Sequence, residues 1–254
     1  MNPIVQLTNA KRVMVFGAHA DDEILGCGAT IYTLAKKYGA EVTVVTFTNR
    51  AVTMATAETV DAAKTLTDQE MKAADDVLGV HRRIGLGIPN REVKHDGETI
   101  ARCAKLIRDY KPEVVFMHQP HDQHTDHRAV SGAVGEAVWK AWEATRMGRP
   151  GTFDAPGAVP SGDWGPIHEV GLVLNYEIML RRIAAPHFFV SFDEEALKAK
   201  GEAMKTQVSQ ADALRDILAH IEHRARDLGA LMGNGTYAAE AFEVSNCHPL
   251  QIRL

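Results

Sequence analysis

The 254-residue sequence predicts an α/β fold, a mostly parallel sheet flanked by helices. Two observations predict it. Short apolar runs recur, and between them lie stretches whose apolar residues repeat at helical spacing. Strands alternating with helices in this way form a parallel sheet covered on both faces. A hydrophobic content of 45% over this length supplies one substantial core, and no repeat, low-complexity tract or linker divides residues 1–254, so a single domain is expected.

The elements follow in order. Residues 12–19, "RVMVFGAH", form a run expected to be buried on both faces. From Ile24 to Tyr38 the apolar residues at 24, 27, 31, 34 and 35 mark a helix closed by Gly39. Residues 41–49, "EVTVVTFTN", are a second strand, "DQEMKAADDVLG" is a helix ending on Gly79, and "RRIGLGI" is a weaker third strand. Ile100, Cys103, Ile107 and Tyr110 give the next helix an apolar stripe, Pro112 ends it, and "EVVFMH" at 113–118 is a fourth buried strand. After the loop "QPHDQHTD", residues 128–142 carry Val130, Ala133, Val134, Ala137, Val138 and Ala141 on one helical side.

The alternation then stops. The segment 145–168, "TRMGRPGTFDAPGAVPSGDWGPIH", holds five glycines and four prolines and reads as an insertion leaving and rejoining near the sheet that carries the site. "EVGLVLNY" and "HFFVSF" are further strands, and a helix-rich tail runs from about Glu194 to Leu231.

A net charge of -5 and a pI near 6.2 argue against a nucleic-acid or anionic-membrane partner, leaving a small molecule or a second copy of the chain, a homo-oligomer. Cys27, Cys103 and Cys247 are too few and too widely spaced for a disulfide framework or a CxxC metal site, which fits a reducing cytoplasm. The first residues lack the apolar core of a signal peptide, and no apolar run approaches the roughly 18 residues of a membrane span.

In an open α/β sheet, ligands bind beyond the carboxyl ends of the strands where the strand order reverses. With the common order 3-2-1-4-5, that point lies between the first and fourth strands. The first ends in "HADDE" and the fourth in "HQPHDQHTDH", so two polar clusters face each other there. Two histidines and a carboxylate with an open fourth position make a recurring catalytic zinc site. His19 and Asp22 lie one turn apart around a strand-to-helix junction, and a histidine from 118–127 completes the set. Asp21, beside a ligand but directed elsewhere, is then available as a general base.

These residues carry a resemblance. "AHADDE" resembles the "AHPDDE" motif of the PIG-L/LmbE-like N-deacetylase family, and "HTDHRAV" is similar to its "HPDHRAV"-type motif, in the same order and after the corresponding strands. The tail "GTYAAEAF" resembles the family's closing segment. The resemblance implies a Rossmann-like sheet and a zinc-dependent enzyme removing acyl groups, usually acetyl, from amino sugars and related amines. It makes His19, Asp22 and His127 the ligands of one zinc, or another divalent metal, per chain, and Asp21 the base. It makes His124 the histidine that stabilises the oxyanion or protonates the leaving amine, with Asp126 orienting or charging it.

The chain departs from the family's pattern mainly around the substrate. Ala20 replaces a proline, Arg50 follows "TN" where glycine is common, Thr67 stands where an arginine often precedes a glutamate such as Glu70, and Gln207 takes the histidine place of an "HxSQ" pattern. Asp122 sits where some members have a tyrosine that helps hold the oxyanion. Arg50, Asp122 and Trp164, the last an indole suited to a sugar face, are the candidate substrate contacts.

Plainer roles are expected elsewhere. Glu23 favours a helix N-terminus through the dipole, His118 and His121 cap or flank, His168, His187 and His248 are structural, and Cys27 is core. A rival enzyme reading takes "DQHTDH" as a degraded "HxHxDH" metallo-β-lactamase motif whose first histidine is Asp122, and a third takes the chain as a silent metal-binding protein.

Overall fold

The computed structural model describes residues 7–49, 60–143, 165–178, 183, 185–210, 216–233 and 235–245. The elements run β1 (Arg12–Gly17), α1 (Asp22–Tyr32), β2 (Glu41–Thr48), α2 (Val60–Leu78), β3 (Arg82–Ile88), α3 (Gly97–Tyr110), β4 (Val114–His118) and α4 (Thr125–Trp142). They continue with β5 (Leu172–Tyr176), β6 (Phe188–Phe192), α5 (Glu194–Lys205), α6 (Ile217–Met232) and β7 (Ala238–Val244).

The strands form one seven-stranded sheet in the order β3-β2-β1-β4-β5-β7-β6. The first five in that order are parallel, and β7 runs antiparallel to both its neighbours. The expected 3-2-1-4-5 order is present, and the reversal point lies between β1 and β4. A metallo-β-lactamase reading of "DQHTDH" does not survive this, because that motif belongs to a different fold.

Alternation along the central strands divides the core. Val13 and Val15 face one side with Val42, Val44, Phe116 and Leu174, against apolar residues of α1, α2, α5 and α6. Met14 and Phe16 face the other with Val45, Phe47, Val115 and Met117, against α3 and α4. The strands read as unbroken apolar runs because helices cover both faces.

Several boundaries differ from the sequence expectation. The helix expected from Ile24 to Tyr38 starts at Asp22, leaves helical geometry at Cys27 (φ -147°, ψ 26°), and ends at Tyr32 in a π-helical turn, Thr33–Lys37. The break has a partner: the Glu240 carboxylate accepts from Ala29 N at 3.1 Å, Thr30 N at 2.9 Å and Thr30 Oγ1 at 2.6 Å, capping the second half of the helix from β7. Gly26 admits the Tyr176 ring, since a Cβ there would lie 2.2 Å from Cδ2. The "AAEAF" of the closing segment opens β7, a strand whose alanines gave no propensity signal.

The insertion's flanks sit at the sheet that carries the site, but at the edge away from it. Among the described residues, His168 N donates to Ala141 O at 2.9 Å, its Nε2 lies 2.7 Å from Pro112 O, and Gly171 N donates to Glu113 O at 3.0 Å. The segment therefore leaves and rejoins at the amino ends of the strands, the edge opposite the histidine cluster. The 18 residues of α4, roughly 27 Å of helix, lie between. Residues 144–164, including Trp164, and Arg50 lie outside the described residues.

Candidate metal centre and active site

The parallel sheet ends β1 at Gly17 and β4 at His118, side by side. Thr48 at the end of β2 holds the outgoing chain, its N and Oγ1 both donating to Ala18 O, at 2.9 and 2.8 Å. The chain then turns into α1, whose first turn carries Asp22 and Glu23 at the positive end of the helix dipole. Across the reversal point, α4 begins at Thr125 with His124 as its N-cap.

This brings His19, Asp22 and His127 together. His19 Nδ1 lies 3.1 Å from His127 Nε2 and 3.4 Å from Asp22 Oδ2, and His127 Nε2 lies 3.4 Å from Asp22 Oδ1. A tetrahedral ion with bonds of ~2.05 Å separates its donors by about 3.3 Å, so the donor set fits a zinc ion. Two overlapping metal-capable sets, His19–His124–His127 and Asp22–His118–His127, also occur, and both pass through His127. Asp22 is oriented by the His19 N–H, which donates to Oδ2 at 2.7 Å.

Each surrounding group has a defined partner. Asp126 Oδ2 lies 3.1 Å from His19 Nε2 and accepts from Arg91 N at 2.7 Å, while Val93 N reaches Oδ1 at 3.4 Å. Asp126 was expected beside His124, yet its carboxylate is 4.0 Å from His124 Nδ1, which instead accepts the Asp126 main-chain N–H at 3.2 Å. Asp122 Oδ1 lies 3.1 Å from His127 Nδ1 and accepts from His124 N at 2.8 Å. Asp21 is buried at the N-cap of α1 and makes no side-chain cap hydrogen bond.

The charges follow from this packing. Burial by itself would raise the Asp22 carboxyl, but His127, His118 and His19 around it hold it well below the usual range. Burial disfavours the His19 imidazolium, yet the Asp22 charge and the hydrogen bonds His19 donates to Asp126 and Asp22 raise its pKa. His127 is raised in the same way, against burial, by Asp22 and Asp122. His124 is lowered, by burial first and then by His19 and His127.

Two features were not legible in the sequence as functional. His118 is fully buried and stacks on His127 at 4.1 Å between ring centroids, and burial pushes its pKa down to about 4. Its Nε2 lies 3.0 Å from both Asp22 Oδ2 and Ala18 N, and one ring nitrogen serves only one of them: protonated it donates to Asp22, unprotonated it accepts from Ala18. A histidine closing an otherwise apolar strand was the available signal. The second feature is the Arg91 turn, whose N–H reaches Asp126 from a left-handed residue (φ 68°); only the "PN" turn signal before it marked the place. Glu23, expected only at the helix end, is fully buried and pairs with Arg83 Nη2 at 2.6 Å.

Comparison with known proteins bears on the family and the fold. The family model described as PIG-L, GlcNAc-PI de-N-acetylase, matches residues 14–138, which contain both histidine-aspartate motifs. A diacetylchitobiose deacetylase of Thermococcus kodakarensis is 25% identical over 206 residues, covering 80% of this chain and 71% of that protein. The solved N,N'-diacetylchitobiose deacetylase of Pyrococcus horikoshii, complexed with an inhibitor, superposes with a TM-score of 0.77 at 20% identity, covering 95% of this chain and 86% of that one. GalB of Pseudomonas putida, a 4-carboxy-2-hydroxymuconate hydratase, superposes with a TM-score of 0.75 at 20% identity over 96% and 99% of the two chains. At 20% identity these two structures share the fold, and the fold hosts more than one named reaction. Residues 14–138, which span the donor triad, belong to the PIG-L/LmbE-like family of deacetylases, hydrolases that act on amides, and the relatives agree in architecture.

Proposed function

We propose that this protein is a zinc-dependent amide hydrolase that removes an acyl group, acetyl foremost, from an N-acylated amino sugar or related amine. The observation that carries the reading is the convergence of His19 Nδ1, Asp22 and His127 Nε2 at 3.1–3.4 Å beside Asp21. These three would hold the ion. When bound, zinc polarises the acyl carbonyl and lowers the pKa of water toward ~7.

The chain's own groups supply the rest. Asp21 takes a proton from the attacking water, whose oxygen bonds to the acyl carbon. His124, with Nδ1 occupied by the Asp126 N–H, carries its proton on Nε2 when neutral, and its ring packs 4.6 Å from that of His19. It therefore donates to the developing oxyanion. The C–N bond then breaks, the amine takes the proton from Asp21, and the products are a carboxylate and a free amine. Arg50 and Trp164 remain candidate substrate contacts. The diacetylchitobiose deacetylases among the relatives support an N-acetyl amino sugar as the first substrate to try.

The test is acetate release by purified, zinc-loaded protein against a panel of N-acetyl sugars and N-acyl amines, with Asp21→Asn as control. Turnover in the parent, lost in Asp21→Asn at full zinc occupancy, is the expected result. Zinc binding without acetate release from any substrate would leave a silent metal-binding protein of the same fold.

A further inference from the structure

Each imidazole of the donor triad has a carboxylate beside its second nitrogen, and both carboxylates come from the β4–α4 connection and the first turn of α4. Asp122 Oδ1 is 3.1 Å from His127 Nδ1, and Asp126 Oδ2 is 3.1 Å from His19 Nε2. We propose that Asp122 and Asp126 are positioning residues, one for each metal-facing histidine, and that Asp126 serves His19 rather than His124. The proposal rests on the metal site described above.

The allotment follows from the backbone. Asp126 and His127 are consecutive on α4, and neighbours in sequence do not face each other on a helix, so Asp126 cannot back His127. It projects instead across the reversal point to β1's outgoing chain. Asp122 precedes the helix in the connection and reaches His127 from outside it.

Both carboxylates are themselves fixed, Asp122 by His124 N at 2.8 Å and Asp126 by Arg91 N at 2.7 Å. Their side chains are 8% and 1% exposed, so neither is free to swing out to solvent. Asp126 holds the proton on His19 Nε2 by a hydrogen bond, and the Asp122 charge 3.1 Å from His127 Nδ1 favours the proton there electrostatically; each leaves the near nitrogen, His19 Nδ1 or His127 Nε2, with a lone pair directed at the metal position. The same contact raises the basicity of the ligand. Asp122, in the position given above to a substrate contact, is thereby occupied with His127.

The experiment measures zinc affinity by competition with a chromophoric chelator, and the visible spectrum of the Co2+-substituted protein, for the parent, Asp122→Ala, Asp122→Asn and Asp126→Asn. Removing a carboxylate behind a ligating histidine is expected to weaken zinc about 10–100-fold and shift the Co2+ bands. Asp122→Asn and Asp126→Asn, which keep an accepting oxygen but lose the charge, should lie toward the lower end of that range, with Asp122→Asn between parent and Asp122→Ala. If Asp126→Asn proves too unstable in the apo form, Asp126→Glu, which displaces the charge, takes its place with the same expectation. A carboxylate serving His124 alone would leave zinc affinity unchanged, so parental affinity and spectrum in the Asp126 variant overturn its assignment, and the same result in Asp122→Ala overturns the other. A parent that binds neither metal would instead defeat the metal-site reading itself.

Discussion

His19 Nδ1 and His127 Nε2 lie 3.1 Å apart although 108 residues separate them in the chain. Two imidazole lone pairs at that distance repel unless a proton or a cation lies between them, and Asp22 within 3.4 Å of each makes a cation the better occupant. This places the ligand assignment within reach of simple experiments.

Asp22→Ala and His127→Ala are expected to lose bound zinc steeply, because each removes a donor from a three-residue set. His121→Ala, in an exposed side chain on the neighbouring loop, should retain it. Metal content by mass spectrometry after dialysis checks this, and full occupancy in both ligand variants would reject the triad.

The metal-free pair should hold a proton at neutral pH, since the acids around His19 and His127 raise both above the ordinary value of 6.5 despite burial. Zinc requires deprotonated ligands, so uptake at pH 7 should release protons. Calorimetry in buffers of different ionisation enthalpy counts them. The sign for stability follows: a raised histidine pKa stabilises the apo fold fully below about 6.5 and loses that contribution as pH rises through the raised value. The melting temperature of the apo protein should therefore fall relative to the zinc-loaded form toward pH 9, and a gap independent of pH would contradict the paired arrangement.

Glu240 joins β7 to the broken helix α1 and also accepts from Lys200 Nζ at 2.7 Å, both side chains almost fully buried. Glu240→Ala strands that ammonium and two main-chain N–H groups, and should cost about 3–5 kcal/mol in urea unfolding. Glu240→Gln with Lys200→Met, which keeps an acceptor and removes the charge, should recover much of the loss. A cost for Glu240→Ala below about 1 kcal/mol would show that the cap is dispensable.

Shortening 150–165 to a brief glycine linker, which removes Trp164, is expected to leave zinc content as in the parent. The described flanks of the segment join the edge of the sheet opposite the triad. Trp139, Trp142 and Ile167 beside those flanks are exposed, so a changed oligomeric state is the more direct consequence. A reordered substrate ranking would mean that the segment reaches a site in its own or a neighbouring subunit.

By itself the sequence determined the α/β class and the two clusters that meet where the common strand order reverses. Apolar runs, helical stripes and glycine stops are local signals, and Val13–Phe16 or Val114–Met117 show them without reference to anything distant. The paired motifs, through their resemblance to the family's, name His19, Asp22 and His127. Only the tertiary structure decided which carboxylate backs which histidine, that His118 lies against Asp22, that β7 enters between β5 and β6 with Glu240 capping the break at Cys27, and that the 145–168 insertion is rooted at the far edge. Those are choices of partner among groups about 100 to 200 residues apart, or side-chain directions that differ by one step around a helix. Periodicity records whether a residue is buried, but the partner it meets is set by how the sheet and its helices pack.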